Sequence, residues 1–160
     1  MSTPDPKDSH QGISSAYVTF SLADETYAID VLQVQEVLKM TEIAPVPGVP
    51  DYILGIINLR GDVVTVIDAR RRMSLPYRTP DDASRIVIID VGHQNVGILV
   101  DAVAEVVQIS PSAVDPAPAV GNDQTSRFIL GVTSTEEGLT ILIDLNKLLS
   151  DEDWAAIREL

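Results

Sequence analysis

The chain repeats itself, and that constrains it more than any other feature. Tyr52-Ile53-Leu54-Gly55-Ile56 returns as Phe128-Ile129-Leu130-Gly131-Val132, 76 positions on (52 to 128), and the same spacing carries Val66-Ile67-Asp68 onto Leu142-Ile143-Asp144. Upstream, a spacing of 69 (29 to 98) lays Ile29, Val31, Glu36 and Val37 on Ile98, Val100, Glu105 and Val106, so one copy has the longer connector. Each copy reads as about five short strands, the number that closes a small, partly open barrel. Neither half of a 160-residue chain has enough residues for a comfortable core alone. The repeat therefore predicts a mainly β fold of two packed five-stranded barrels forming one cooperative domain.

Residues 1–15, with two prolines and almost nothing apolar, read as a disordered tail. A double-barrel domain over 16–150 and a closing helix over 151–160 complete the expected organisation. Strands are expected at 17–20 and 27–30 around a polar turn at 23–26. Val31, Val34 and Leu38 have helical spacing, but the stretch is short and rich in β-branched residues, so a turn at 31–33 followed by a strand is the better reading. Three prolines and a glycine make 44–51 an irregular connector into a strand at 52–58. Asp68 can cap one helical turn at 69–73, which Pro76 and Pro80 end. A second meander follows at 85–91, 96–100 and 104–109, then a loop at 111–122, a hairpin from 128–133 and 139–143, and a turn at 145–149. Ser150 caps the last helix with Asp153 in capping-box position, and Trp154 and Ile157 are its expected buried face.

The sharpest local signal is the hairpin over 55–68. Two β-branched runs flank the polar centre 58–62, and Gly61 supplies the positive φ a tight reversal needs. Arg60 sits on its tip, either as a solvated turn residue or as a recognition side chain. The repeat breaks there: Asn58-Leu59-Arg60-Gly61 maps onto Ser134-Thr135-Glu136-Glu137. Gly55 and Asp68 recur in the second copy, as structural residues do, whereas Arg60 does not. That difference favours an interaction role for it.

Other chemistry finds little support. A formal charge of −13 opposes nucleic acid and anionic membrane. Six arginines between Arg60 and Arg85 nevertheless make one region locally basic, a docking surface or a solvated helix end. There is no cysteine, hence no disulfide or thiolate chemistry, and the two histidines, His10 and His93, do not pair for a metal. No serine has a positioned base, and no phosphate-cradling glycine motif is present. Asp68, Asp90, Asp101 and Asp144 follow apolar runs, where strand-ending and capping duties explain them more cheaply than catalysis. No cofactor or metal is expected. No apolar run approaches the roughly 20 residues of a membrane helix, and no signal peptide is evident, so a cytoplasmic protein is expected.

The blocks VTFSLADETYAIDVLQVQEV (18–37), PGVPDYILGIINLRG (47–61) and VGILVDAVAEV (96–106), in this order and spacing, resemble the bacterial CheW family of chemotaxis coupling proteins over 16–149. The resemblance implies two small barrels of the Src-homology type, no catalysis, and a role joining chemoreceptors to the histidine kinase CheA, whose regulatory domain is itself similar to this family. It implies a groove that takes the receptor's cytoplasmic hairpin tip, barrel ends that pair with the kinase's regulatory domain, and residence in the cytoplasm beside membrane-bound receptor arrays. Val34, Glu36, Gly55, Asn58, Leu59, Arg60 and Gly61 occupy the matching receptor-binding positions. Nothing is carried over to the three arginines of 69–77. With no receiver or kinase module in the chain, a free adaptor is expected. An adaptor for a non-motility chemosensory pathway, or a small-ligand-binding or enzymatic double barrel, remain the alternatives.

Overall fold

The computed structural model describes residues 14–91, 94–116, 128–136 and 138–158. Residues 1–13, His93, the second half of the 111–122 loop, Glu137 and the last two positions of the expected helix lie outside the described residues. Ser15, assigned to the tail from sequence, already belongs to the first strand.

Among the described residues, ten strands are joined by turns and by longer connectors: β1 (Ser15–Leu22), β2 (Glu25–Asp30), β3 (Val34–Lys39), β4 (Ile53–Leu59), β5 (Asp62–Asp68), β6 (Arg85–Asp90), β7 (Asn95–Val100), β8 (Ala102–Ile109), β9 (Ile129–Thr135) and β10 (Gly138–Ile143). Helix α1 (Ala69–Arg72) follows β5, and α2 (Asp151–Arg158) closes the described chain. A single 3₁₀ turn, Val31–Gln33, separates β2 from β3, with Asp30 accepting the amide of Leu32.

The strands form two five-stranded sheets, ordered β8-β1-β2-β10-β9 and β3-β6-β7-β5-β4. The repeat carries β1–β5 onto β6–β10, and applying it to one order produces the other. The sequence copies therefore do not each close a barrel, which corrects the simplest reading of the repeat. Each sheet takes two strands from one copy and three from the other. After β2 the 3₁₀ turn lets the chain cross to the second sheet, and β2 is left pairing in parallel with β10, just as β7 pairs with β5. The two units are interleaved.

Neither sheet is a closed ladder. Among the described residues, the backbone edges of each are joined by an isolated bridge made by the chain beyond its third strand. Ala44 exchanges bonds with Ile56 (2.8 and 2.9 Å), and Asp115 does so with Val132 (2.8 and 2.9 Å). This seam explains the recurring glycine. A Cβ on Gly55 would lie 2.1 Å from the Ala44 carbonyl oxygen, and one on Gly131 would lie 2.6 Å from that of Asp115.

Strand alternation divides the apolar side chains into three clusters. The largest lies between the sheets and joins Val18, Phe20 and Leu22 of β1 to Val87, Ile89, Ile98 and Val100 of β6 and β7, with Ile157 of α2. The second barrel (β3-β6-β7-β5-β4) is filled by Ile57, Val64, Val66, Ile86, Ile88 and Leu99. The first barrel (β8-β1-β2-β10-β9) has only Ala28, Ile109 and Leu142 in its own buried apolar cluster, beside buried Thr19, Thr133 and Thr140.

The arginines of α1 are not a solvated helix end, because each has an acceptor elsewhere in the fold. Arg70 donates two bonds to the Asp101 carboxylate (2.8 and 2.6 Å), with both side chains about nine-tenths buried. Asp101 also accepts the amide of Ala23, in the β1–β2 turn, at 2.8 Å. The pair therefore bolts the helix of one barrel to a turn of the other. Arg71 donates to the Asp51 carbonyl at 2.8 Å and lies over the Tyr77 ring, and Arg72 reaches Asp153 of α2 at 3.0 Å. Cations near a helix end needed no partner by sequence logic; here the fold supplies acceptors from distant segments.

Candidate functional site

The β4–β5 reversal is a two-residue hairpin in which Leu59 faces Asp62. Arg60 and Gly61 both have positive φ, 52° and 90°, the signature of the primed turns whose twist matches a hairpin. A left-handed arginine is uncommon. Asn58 supports the turn, its Oδ1 accepting the Gly61 amide at 2.9 Å.

From this tip the Arg60 guanidinium donates to the Glu36 carboxylate of β3. Glu36 is opposite Ile88, so it lies on the interior-facing side of its strand, at the mouth of the second barrel. β3 and β4 are the two edges of that sheet. The ion pair thus spans the gap that Ala44 and Ile56 span lower down. The arginine side chain remains 71% exposed. The hydrogen bond from Arg60 and its charge lower the Glu36 pKa, and the same bond raises that of Arg60. In so exposed a pair the arrangement orients side chains more than it stabilises the fold.

Four of the seven sequence-selected residues, Glu36, Asn58, Arg60 and Gly61, meet at this mouth. Leu59 packs beneath them against the apolar filling of the barrel. Gly55 sits farther along β4 at the Ala44 seam, where its lack of a side chain has a structural cause. Val34 lies on the other face of β3: a bulge separates it from Glu36, and it packs against the cluster between the barrels. The set is therefore one rim, one seam residue and one residue beside the inter-barrel core.

The partner of Arg60 is a carboxylate in its own barrel, whereas Arg70 bonds across to the other barrel through Asp101. Sequence reasoning passed over the exposed apolar residues. Leu32, on the 3₁₀ turn, is 86% exposed, and Val37, Val63, Val106 and Leu139 are also exposed. These last four are two repeat-related pairs, 37 with 106 and 63 with 139. Their signal was already in the alignment of the copies, as apolar positions out of phase with the inward-facing residues beside them.

A cleft of about 400 Å³ near α2 is lined by Asp62, Val63, Val64, Thr65, Gln94, Asn95 and Ile157. Asp62 is its one titratable side chain. No grouping of three or more potential metal ligands occurs among the described residues.

Two interleaved, partly open five-stranded barrels with an ion pair across one mouth are the build of a double Src-homology-like β module. The chain belongs to the CheW-like domain family, whose model matches residues 16–153. It is 31% identical over 145 residues to the chemotaxis protein CheW of Klebsiella aerogenes, covering 91% of this chain and 87% of that one. It is 37% identical over 135 residues to CheW of Bacillus subtilis, covering 84% and 86% respectively. The crystal structure of the scaffolding protein TtCheW from Thermoanaerobacter tengcongensis superposes with a TM-score of 0.78 at 38% identity, covering 85% of this chain and 92% of that one.

Proposed function

We propose that this chain is a non-catalytic adaptor of chemotaxis signalling that couples the cytoplasmic hairpin tips of chemoreceptors to the regulatory domain of the histidine kinase CheA. The observation that carries this reading is the Glu36–Arg60 pair on an exposed rim of a CheW-like fold. A tight turn presents the guanidinium beside β3 and β4, the two edges of the sheet. The receptor-facing set is Val34, Glu36, Gly55, Asn58, Leu59, Arg60 and Gly61. The rim residues make polar contacts, Val34 an apolar one, and Gly55 shapes the strand on which the turn is carried. Residues 16–150 act as one unit, because strand exchange leaves neither barrel complete without both copies. The cleft beside α2, with its lone carboxylate, lacks the convergent titratable groups of a catalytic site. No helix among the described residues is long and apolar enough to cross a membrane, in keeping with a cytoplasmic protein held at receptor arrays through its partners.

Pull-down with a purified receptor cytoplasmic fragment, a CheA regulatory domain, and the two together tests the reading. Binding to each alone and fuller retention with both is the expected result. Failure to bind either, across several receptors of the same organism, overturns it.

A further inference from the structure

The two barrel mouths are repeat counterparts with opposite chemistry. In the second barrel the mouth holds Glu36 and Arg60 over Leu59, Val64 and Ile88. The same spacings place Glu105, Glu136, Thr135, Thr140 and Thr19 at the mouth of the first. These five, with Thr26 and Val107, line a cavity of about 200 Å³ where the other barrel is packed with apolar side chains. Glu105 thus keeps the carboxylate of its counterpart but not the guanidinium, because Glu136 stands where Arg60 stands.

We propose that this cavity receives the guanidinium of an arginine side chain presented by a partner protein. The counterpart mouth shows a guanidinium seated on the equivalent carboxylate. The lining offers the Glu105 and Glu136 carboxylates and the Thr135 hydroxyl, which donates its proton to the Gly138 carbonyl at 3.0 Å and so keeps lone pairs for a guest; the Thr19 hydroxyl donates to the Glu105 carbonyl at 3.1 Å and already accepts the Glu105 amide at 3.2 Å. Five donors and no acceptor, in a planar fork, complement such a lining better than an ammonium does. The volume lies below the roughly 300–1,000 Å³ of sites that enclose whole small molecules, which suits a single side chain. The chain's charge of −13 draws a cationic group toward it. This site lies on the barrel opposite the rim assigned to the receptor, and it stands or falls independently of that assignment.

The test is amide NMR of the full chain titrated with doubly blocked N-acetyl-arginine-N-methylamide, with its citrulline counterpart as the uncharged isostere and with free arginine. Saturable shifts centred on Thr19, Thr26, Glu105 and Thr140 are expected. Affinity falls about fivefold, the upper end of what a solvent-accessible ion pair contributes, for the citrulline compound and for the Glu105→Gln/Glu136→Gln double variant. Thr140→Leu, which fills the cavity with added bulk and leaves both carboxylates in place, abolishes binding. Equal affinity for arginine and citrulline compounds overturns the proposal, as does unchanged binding by either variant with its native fold intact. Tighter binding of free arginine than of the blocked form overturns the assignment to a protein side chain.

Discussion

The two barrels share one strand order and differ in what fills them. The second has six buried aliphatic side chains of its own, while the first has three apolar residues and a set of buried threonines. The repeat thus conserves strand pairing and seam geometry while leaving each interior free to vary, because the larger shared cluster between the sheets carries the burial that both barrels need. The links that cross between the barrels are asymmetric too: Leu32, between β2 and β3, stands 86% exposed where its counterpart between β7 and β8, Asp101, is buried and bonded to Arg70.

Truncating repeat counterparts breaks this comparison most strongly. Ile88→Ala empties part of a packed apolar interior and is expected to cost about 2–5 kcal/mol. Thr19→Ala removes one hydroxyl, which donates to Glu105 O and accepts from Glu105 N, for about 1–2 kcal/mol. Chemical denaturation of both measures the ratio; equal losses would show that the first interior is as tightly filled as the second.

The seam glycines come next. Gly55→Ala meets backbone at 2.1 Å and a φ of 150°, and is expected to cost about 2–4 kcal/mol from strain and displacement together. Gly131→Ala meets its carbonyl at 2.6 Å with no such φ and costs less. A reversed order in melting temperature would place the tighter seam in the first barrel.

Acid exposes the inter-barrel bolt. Burial alone would raise the Asp101 pKa, but bonds from Arg70 and Ala23 hold it below the ordinary carboxylate range. A folded value below the unfolded one means the stabilisation is present above about pH 4 and is lost as pH falls through the depressed value. Asp68 runs the other way: burial raises it, so its contribution favours the fold at low pH and is lost as pH rises through the raised value. Melting curves between pH 7 and 3 should show a shallower acid loss in Asp101→Asn, with about 1–3 kcal/mol already lost at pH 7. An acid limb as steep as the parent's would remove Asp101 from that role.

The smallest effect on stability is expected at the rim. Arg60→Ala should leave the melting temperature unchanged while weakening receptor binding, with Arg60→Lys restoring only part of it because the planar fork is lost. Stability falling in step with binding would make the Glu36–Arg60 pair a structural clasp instead.

Local chemistry was legible in the residues. The 31–33 turn, the Asp68 cap and the hairpin over Arg60 and Gly61 lie where composition placed them. The Ser150–Asp153 capping box closes in both directions at 3.1 and 2.8 Å. Each of these is a hydrogen bond between groups a few positions apart, so spacing along the chain fixes it. The repeat likewise fixed ten strands and two sheets. It could not fix which copy supplied which strand, because exchanging β1 and β2 between barrels leaves the alignment of the copies unchanged. Nor could it find Glu36 for Arg60, Asp101 for Arg70 or Asp153 for Arg72, partners 24, 31 and 81 positions apart. Those pairings exist only once segments distant along the chain are brought side by side: Glu36 meets Arg60 across the two edges of one sheet within a single copy, whereas Arg70–Asp101 and Arg72–Asp153 join different copies.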